Sequence, residues 1–170
     1  MAQPAIKPEN TQMIITGQNF FSSVYTKKTF NTRSSNLKPE NLALPKIIVS
    51  WGEYFDKLTI LEIKFEKIAD EAKRENITKG IKVLVSESRD LAEYDSEIQD
   101  LVAQLKAINS KLWDIEEGKR ECERKQIFGE RFISLARAVY MDNDKRAAIK
   151  KAIDLHLGSD LIEEKSYKPY

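Results

Sequence analysis

The sequence predicts an all-α protein: an antiparallel helical hairpin or bundle with two short C-terminal helices, preceded by an extended N-terminal arm. Three observations carry this. Apolar residues recur at alternating spacings of three and four over residues 51–72 and again over 91–122, the period of helices that pack along a seam. The chain holds only six glycines and five prolines in 170 residues, with 41% hydrophobic residues, as a packed domain requires. Helix start and stop signals stand where the periodic runs begin and end. The expected division is an extended basic arm over 1–47 and a helical domain over 48–170.

From Met1 to Pro45 the text is rich in Asn, Thr, Ser, Lys and Pro, with apolar residues in short clumps such as Met13-Ile14-Ile15 and Phe20-Phe21. No helical period survives there, and such a segment buries too little apolar surface to offset its own chain entropy. Residues 1–47 carry six Lys or Arg against two Glu, a net +4, so the rest of the chain carries −3. The two parts are electrostatically complementary, to each other or to partners.

The first helix opens with Ser50-Trp51-Gly52-Glu53, a capping box in which the Ser oxygen accepts an amide hydrogen bond and Glu53 reaches back. Trp51, Tyr54, Leu58, Leu61, Phe65, Ile68 and Ala72 form its seam, while Phe55, Ile60 and Ile63 fall off it. A helix with apolar residues on two faces belongs at the centre of the bundle.

Ile77, Ile81 and Leu84 mark a short helix over 77–86, set off by Ser86 and Ser88. The longest helix follows, through Leu91, Tyr94, Ile98, Leu101, Leu105, Ile108, Leu112, Ile115, Lys119 and Cys122. It is expected to pair with the first helix as an antiparallel hairpin. Phe132, Leu135, Ala136, Val139 and Tyr140 then predict a shorter helix, ended by Asp142-Asn143-Asp144, residues that favour caps. Ile149, Ala152, Ile153 and Leu157 predict a last helix, stopped at Gly158 by a left-handed cap.

Charge and composition exclude several functions. Positive and negative side chains nearly cancel, at +1 over the whole chain, so neither nucleic acid nor an anionic membrane is an expected partner. The single cysteine, Cys122, rules out an intrachain disulfide and a Cys-based zinc site. No apolar run approaches the roughly 18–20 residues that span a bilayer, and a cytoplasmic protein is expected. The glycines are scattered singly, and no phosphate loop, paired-Cys, His-Glu-x-x-His or acidic calcium loop occurs, so no cofactor or metal is implied.

Few side chains invite chemistry. His156 is the only histidine and lacks metal-binding company, which makes a structural role the ordinary reading. Cys122 sits on the long helix's seam, where a buried thiol is the ordinary outcome, although Lys119, Arg120 and Arg124 are near enough to activate an exposed one. Trp113 stands outside that seam and faces a neighbouring helix or a partner. Glu53 with Lys57, Glu116 with Arg120 and Glu121 with Lys125 have the i,i+4 spacing of surface ion pairs.

The charges of the first helix are more informative. Asp56, Lys57, Glu62 and Lys64 are interleaved with apolar residues, leaving too little exposed perimeter for all of them if both faces pack. Some must pair with groups on the later helices, where Arg137, Asn143 and Arg146 are available. One reading is a carboxylate, phosphate or sugar site formed by Asp56, Lys57, Glu62, Arg137, Asn143 and Arg146. The other is an internal salt-bridge lattice.

Several strings stand together: Ser50-Trp51-Gly52-Glu53 with Asp56-Lys57-Leu58-Thr59-Ile60-Leu61-Glu62, Leu112-Trp113-Asp114-Ile115-Glu116, Leu135-Ala136-Arg137 with Val139-Tyr140, Asn143-Asp144 with Arg146-Ala147, and Gly158-Ser159 before Glu163-Glu164-Lys165-Ser166-Tyr167. As a set they resemble an uncharacterised family of small bacterial and tailed-phage proteins often encoded near surface-polysaccharide glycosyltransferases. The resemblance covers about residues 47–170 and implies a genetic context without a mechanism. Two features depart from it: the added arm, and Gly118, which costs a helix about 1 kcal/mol relative to Ala.

The expected function is that of a non-enzymatic assembly or interaction protein, a helical docking body whose arm clamps a protein partner or another copy of the chain, as in a phage particle. Phe20, Phe21, Tyr25 and Phe30 are the expected anchors, since aromatic side chains bring large contact area with few rotamers to freeze, and Lys27, Lys28 and Arg33 would meet acidic surface. The alternative is an enzyme or ligand-binding accessory protein in surface-polysaccharide or nucleotide-sugar metabolism, using the first-helix charges.

Overall fold

A computed structural model describes residues 46–88 and 93–168, and these form helices with no strand among them. The helices are α1 (Trp51–Lys67), α2 (Glu71–Val85), α3 (Ser96–Lys125) and α4 (Glu130–His156). Residues 1–45 of the arm, with Phe20, Phe21, Tyr25, Lys27, Lys28, Phe30 and Arg33, lie outside the described residues, as does Leu91.

α1 begins as its sequence predicts, with the Ser50 side chain accepting from the Glu53 amide at 3.2 Å. Only half of the capping box forms, because the Glu53 carboxylate turns away to Lys150. Tyr54, Phe55, Leu58 and Ile63 are all buried, so both faces of α1 are covered, and the helix packs against all three others. The core is built from Tyr54, Phe55 and Leu58 of α1, Ile98, Val102 and Leu105 of α3, and Ile153 of α4.

The expected pairing of the first and long helices is corrected. Trp51 and Phe55, at the start of α1, approach Tyr94 just before α3, with ring centroids 6.1 and 5.6 Å apart, while Lys67 at its end meets Asp114 at 2.6 Å. α1 and α3 therefore run parallel. The reason lies in α2, which carries the chain back along α1: Arg74 lies over the Phe65 ring at 4.1 Å, and the Tyr54 hydroxyl donates to the Leu84 carbonyl at 3.3 Å. The antiparallel hairpins are α1–α2 and α3–α4, the latter pinned along its length by Glu121–Arg131, Lys111–Asp142 and Asp95–His156 at 2.8 Å each.

Three helix boundaries also differ from expectation. α1 stops at Lys67 with Ile68 in an extended conformation, so Ala72 belongs to α2, which begins at Glu71 and not near Ile77. Asp70 decides this by accepting from the Lys73 amide at 2.9 Å as the α2 N-cap. α3 likewise starts after Asp95, which accepts from the Ile98 amide at 3.0 Å, so Tyr94 precedes the helix. The two expected C-terminal helices are one, because Asp142-Asn143-Asp144 does not break α4. Asp142 is 1% exposed and ion-paired to Lys111 and Lys145, and Asn143 donates to the Val139 carbonyl one turn back at 2.9 Å. These side chains find partners within the helical conformation and no longer compete for the backbone.

Two glycines let α4 come close. A Cβ on Gly52 would lie 2.5 Å from the Lys150 carbonyl oxygen, and one on Gly118 would lie 3.1 Å from a Leu135 methyl. The helix-propensity cost of Gly118 is thus offset by a closer α3–α4 contact. α4 ends at Gly158 with φ +61°, the left-handed cap expected there, and Ser159 donates to the Asp154 carbonyl at 2.8 Å. Among the described residues, no helix is long and apolar enough to cross a membrane.

Candidate functional site

A polar seam runs between α1 and α4. At its centre the Arg146 guanidinium donates from Nε and Nη2 to the two Asp56 carboxylate oxygens, at 2.8 and 2.5 Å, and from Nη1 to Asn143 Oδ1 at 3.2 Å. Asn109 of α3 completes the group, its Nδ2 donating to Asp56 Oδ1 at 2.9 Å and to Thr59 Oγ1 at 3.0 Å. Asp56 is 4% exposed, so its charge depends on these partners. The fork-on-carboxylate geometry suits an ion pair withdrawn from water, and the Asp56 hydrogen bonds hold the Arg146 pKa above its ordinary value against the opposing effect of burial.

One turn further along α4, the buried Lys150 ammonium lies between Glu53 and Glu163. Burial pulls its pKa down, but the two carboxylates outweigh that and leave it raised. Asp154, fully buried, accepts from the Gly52 amide at 2.6 Å and from the Glu163 amide at 3.0 Å. It thereby ties the first turn of α1 to the tail that follows α4.

Of the six residues expected to form a ligand site, the structure brings Asp56, Asn143 and Arg146 together. Glu62 lies elsewhere on α1, paired with Lys106 at 3.0 Å, which Glu66 shares at 2.8 Å. Lys57 and Arg137 are exposed, and their side chains have no hydrogen bond or ion pair with any described residue. Cys122 is buried with 2% exposure, the ordinary reading of a seam cysteine. His156 meets Asp95 at 2.8 Å and Glu97 at 3.4 Å, joining the end of α4 to the start of α3. Glu116–Arg120 and Glu121–Lys125 form as their spacing predicts, whereas Glu53 takes Lys150 in place of Lys57.

Comparison with known proteins places this core. Residues 45–170 match the model of a family of unknown function, DUF6165. The chain belongs to that family. Neither a curated protein nor a solved structure matches it. Within the DUF6165 region, the recognised strings now have physical roles. Ser50–Glu53 caps α1 and supplies the glycine that α4 crosses, Asp56 and Thr59 line the polar seam, and Glu163-Glu164-Lys165 straps the tail back along α4. That strap consists of Glu163–Lys150 at 3.0 Å, Glu164–Lys151 at 2.9 Å and Lys165–Asp144 at 3.1 Å.

Thr59, Asn109, Lys150, Asp154 and Glu163 take part without having been among the expected site residues. Asn109 was findable, because it continues the buried series Ile98, Val102, Leu105 at helical spacing and is the polar member of it. Lys150 and Asp154 are charged residues on a buried face of α4, where hydropathy periodicity hides the packing surface.

Proposed function

We propose that this DUF6165 protein is a non-enzymatic assembly or interaction protein, with the helical bundle as a docking body and residues 1–47 as an arm that clamps a protein partner or another copy of the chain. A component of a phage particle is the specific form this reading takes. One observation carries it. Where the arm joins α1, three consecutive branched aliphatics face water, Ile47 at 78%, Ile48 at 90% and Val49 at 46% exposure. Consecutive exposed aliphatics are what an interaction surface leaves open in the free protein. The closed Asp56–Arg146 pair argues the same way, since the best-placed cation of the candidate ligand site is already neutralised.

The test is replacement of Phe20 and Phe21 together by Ser in the full chain. Sedimentation velocity and co-sedimentation with phage particles should show association by the parent and none by the variant, with the helical circular-dichroism signal unchanged. Association that survives the loss of both phenylalanines contradicts the proposal.

A second reading, a ligand-binding accessory protein of surface-polysaccharide or nucleotide-sugar metabolism, is favoured by one feature: an open groove on the outer side of the polar seam, lined by Trp113, Asn109 and Arg146.

A further inference from the structure

We infer that this groove is a binding site for a neutral sugar ring, an inference that rests on the ligand-binding reading and is independent of the arm. The groove encloses about 320 Å³, at the small end of the roughly 300–1,000 Å³ range of ligand clefts. Ile60, Leu112 and Trp113 supply its apolar wall, and Glu116, Glu117 and Arg120 its charged rim.

Asn109 is the most deeply buried residue of the lining, at 5% exposure, and its orientation is fixed. Asp56 can only accept, so Nδ2 must face Asp56 and Thr59, and Oδ1 is turned away from them. That oxygen has no hydrogen-bond partner among the described residues, yet it is not sealed from solvent. A buried amide held on one side, with an open acceptor on the other, is the kind of group a ligand hydroxyl completes. Arg146 contributes from the same lining: three of its N–H groups are taken by Asp56 and Asn143, leaving two of the five a guanidinium carries.

The charges select the ligand class. Asp56 takes the charge of Arg146, which leaves Glu116 and Glu117 against Arg120 on the rim, and Glu116 is already paired with Lys119 at 2.9 Å and with Arg120 at 3.7 Å. A phosphate or carboxylate would face two carboxylates with no cation in excess. A polyhydroxyl ring instead uses the groups left open: the Glu117 carboxylate accepts a hydroxyl proton, Asn109 Oδ1 accepts another, Arg146 donates, and the Trp113 indole packs against its C–H face.

Saturation-transfer NMR and titration of the full-length protein with glucose, N-acetylglucosamine and UDP-glucose test this, with Trp113→Leu and Glu117→Gln as variants. The expected result is saturable millimolar binding of a neutral sugar, weakened about tenfold in each variant, the scale of one lost contact. Melting curves of Glu117→Gln should be unchanged, since Glu117 is exposed and unpaired among the described residues; this variant keeps the test valid should Trp113→Leu unfold. Binding of UDP-glucose alone overturns the neutral-sugar assignment while leaving the ligand-binding reading standing. No binding by any probe overturns both. Sugar binding undiminished in both variants overturns the location.

Discussion

Arg146 on α4 closes as a fork on Asp56 of α1, joining residues 90 positions apart through both carboxylate oxygens. With Asn109 reaching the same carboxylate from α3, three helices meet on one buried charge. Arg146→Ala strands Asp56 and should cost about 3 kcal/mol, the scale for removing one partner of a buried pair. Asp56→Leu with Arg146→Met should cost less than the two single losses combined. Urea unfolding of the double-mutant cycle measures this, and additive losses would mean that the pair does not act as a unit.

Close approach at Gly52 makes a second prediction. Gly52→Ala drives a methyl into the Lys150 carbonyl and should destabilise by about 1–3 kcal/mol as the helices separate. Gly129, the α4 N-cap with open space around it, should accept Ser with no loss or a gain of a few tenths, roughly 0.3 kcal/mol. Thermal melts of the two variants give the contrast, and equal effects would contradict it.

The central position of α1 was legible because Phe55 and Ile63 sit off the Tyr54–Leu58 seam, and a helix that is apolar on two sides has to be enclosed. The direction of α3 was not, since periodicity reports which face is buried and not which way a helix runs; α2 had to be seen as a full return. The continuity of α4 was hidden for a different reason. Asp142, Asn143 and Asp144 are cap formers in isolation, and only the partners on α3, Lys111 above all, make Asp142 a buried helix residue. The candidate site was half legible: Asp56, Asn143 and Arg146 were named from crowding on α1, while Lys57 and Arg137, read by the same argument, face water.

Leu105 is fully buried, and Leu105→Ala should cost about 2–5 kcal/mol. Leu61, only half-buried against Gly80 of α2, should cost clearly less. Denaturant unfolding separates them, and a larger loss at Leu61 would contradict the placement of α1 between α2 and α3.

His156 gives a pH signature. The hydrogen bond to Asp95 is the main cause that raises its pKa, against a smaller opposing effect of burial, and Glu97 adds to the rise. A raised folded-state pKa means that this clamp contributes fully below the unfolded value, about 6.5, and is lost as pH rises through the folded value. The melting temperature should therefore fall as pH rises from about 6 to 8, and His156→Gln should flatten that slope. An unchanged slope in the variant would contradict the role given to His156.

If the helical body folds alone and the arm does the associating, the full chain and residues 46–170 will differ in association and not in folding. Circular-dichroism melting and sedimentation velocity are run on both. The predicted result is the same cooperative helical transition in each, with association confined to the full chain. A shortened chain that associates like the full one, or that melts without cooperativity, would contradict it.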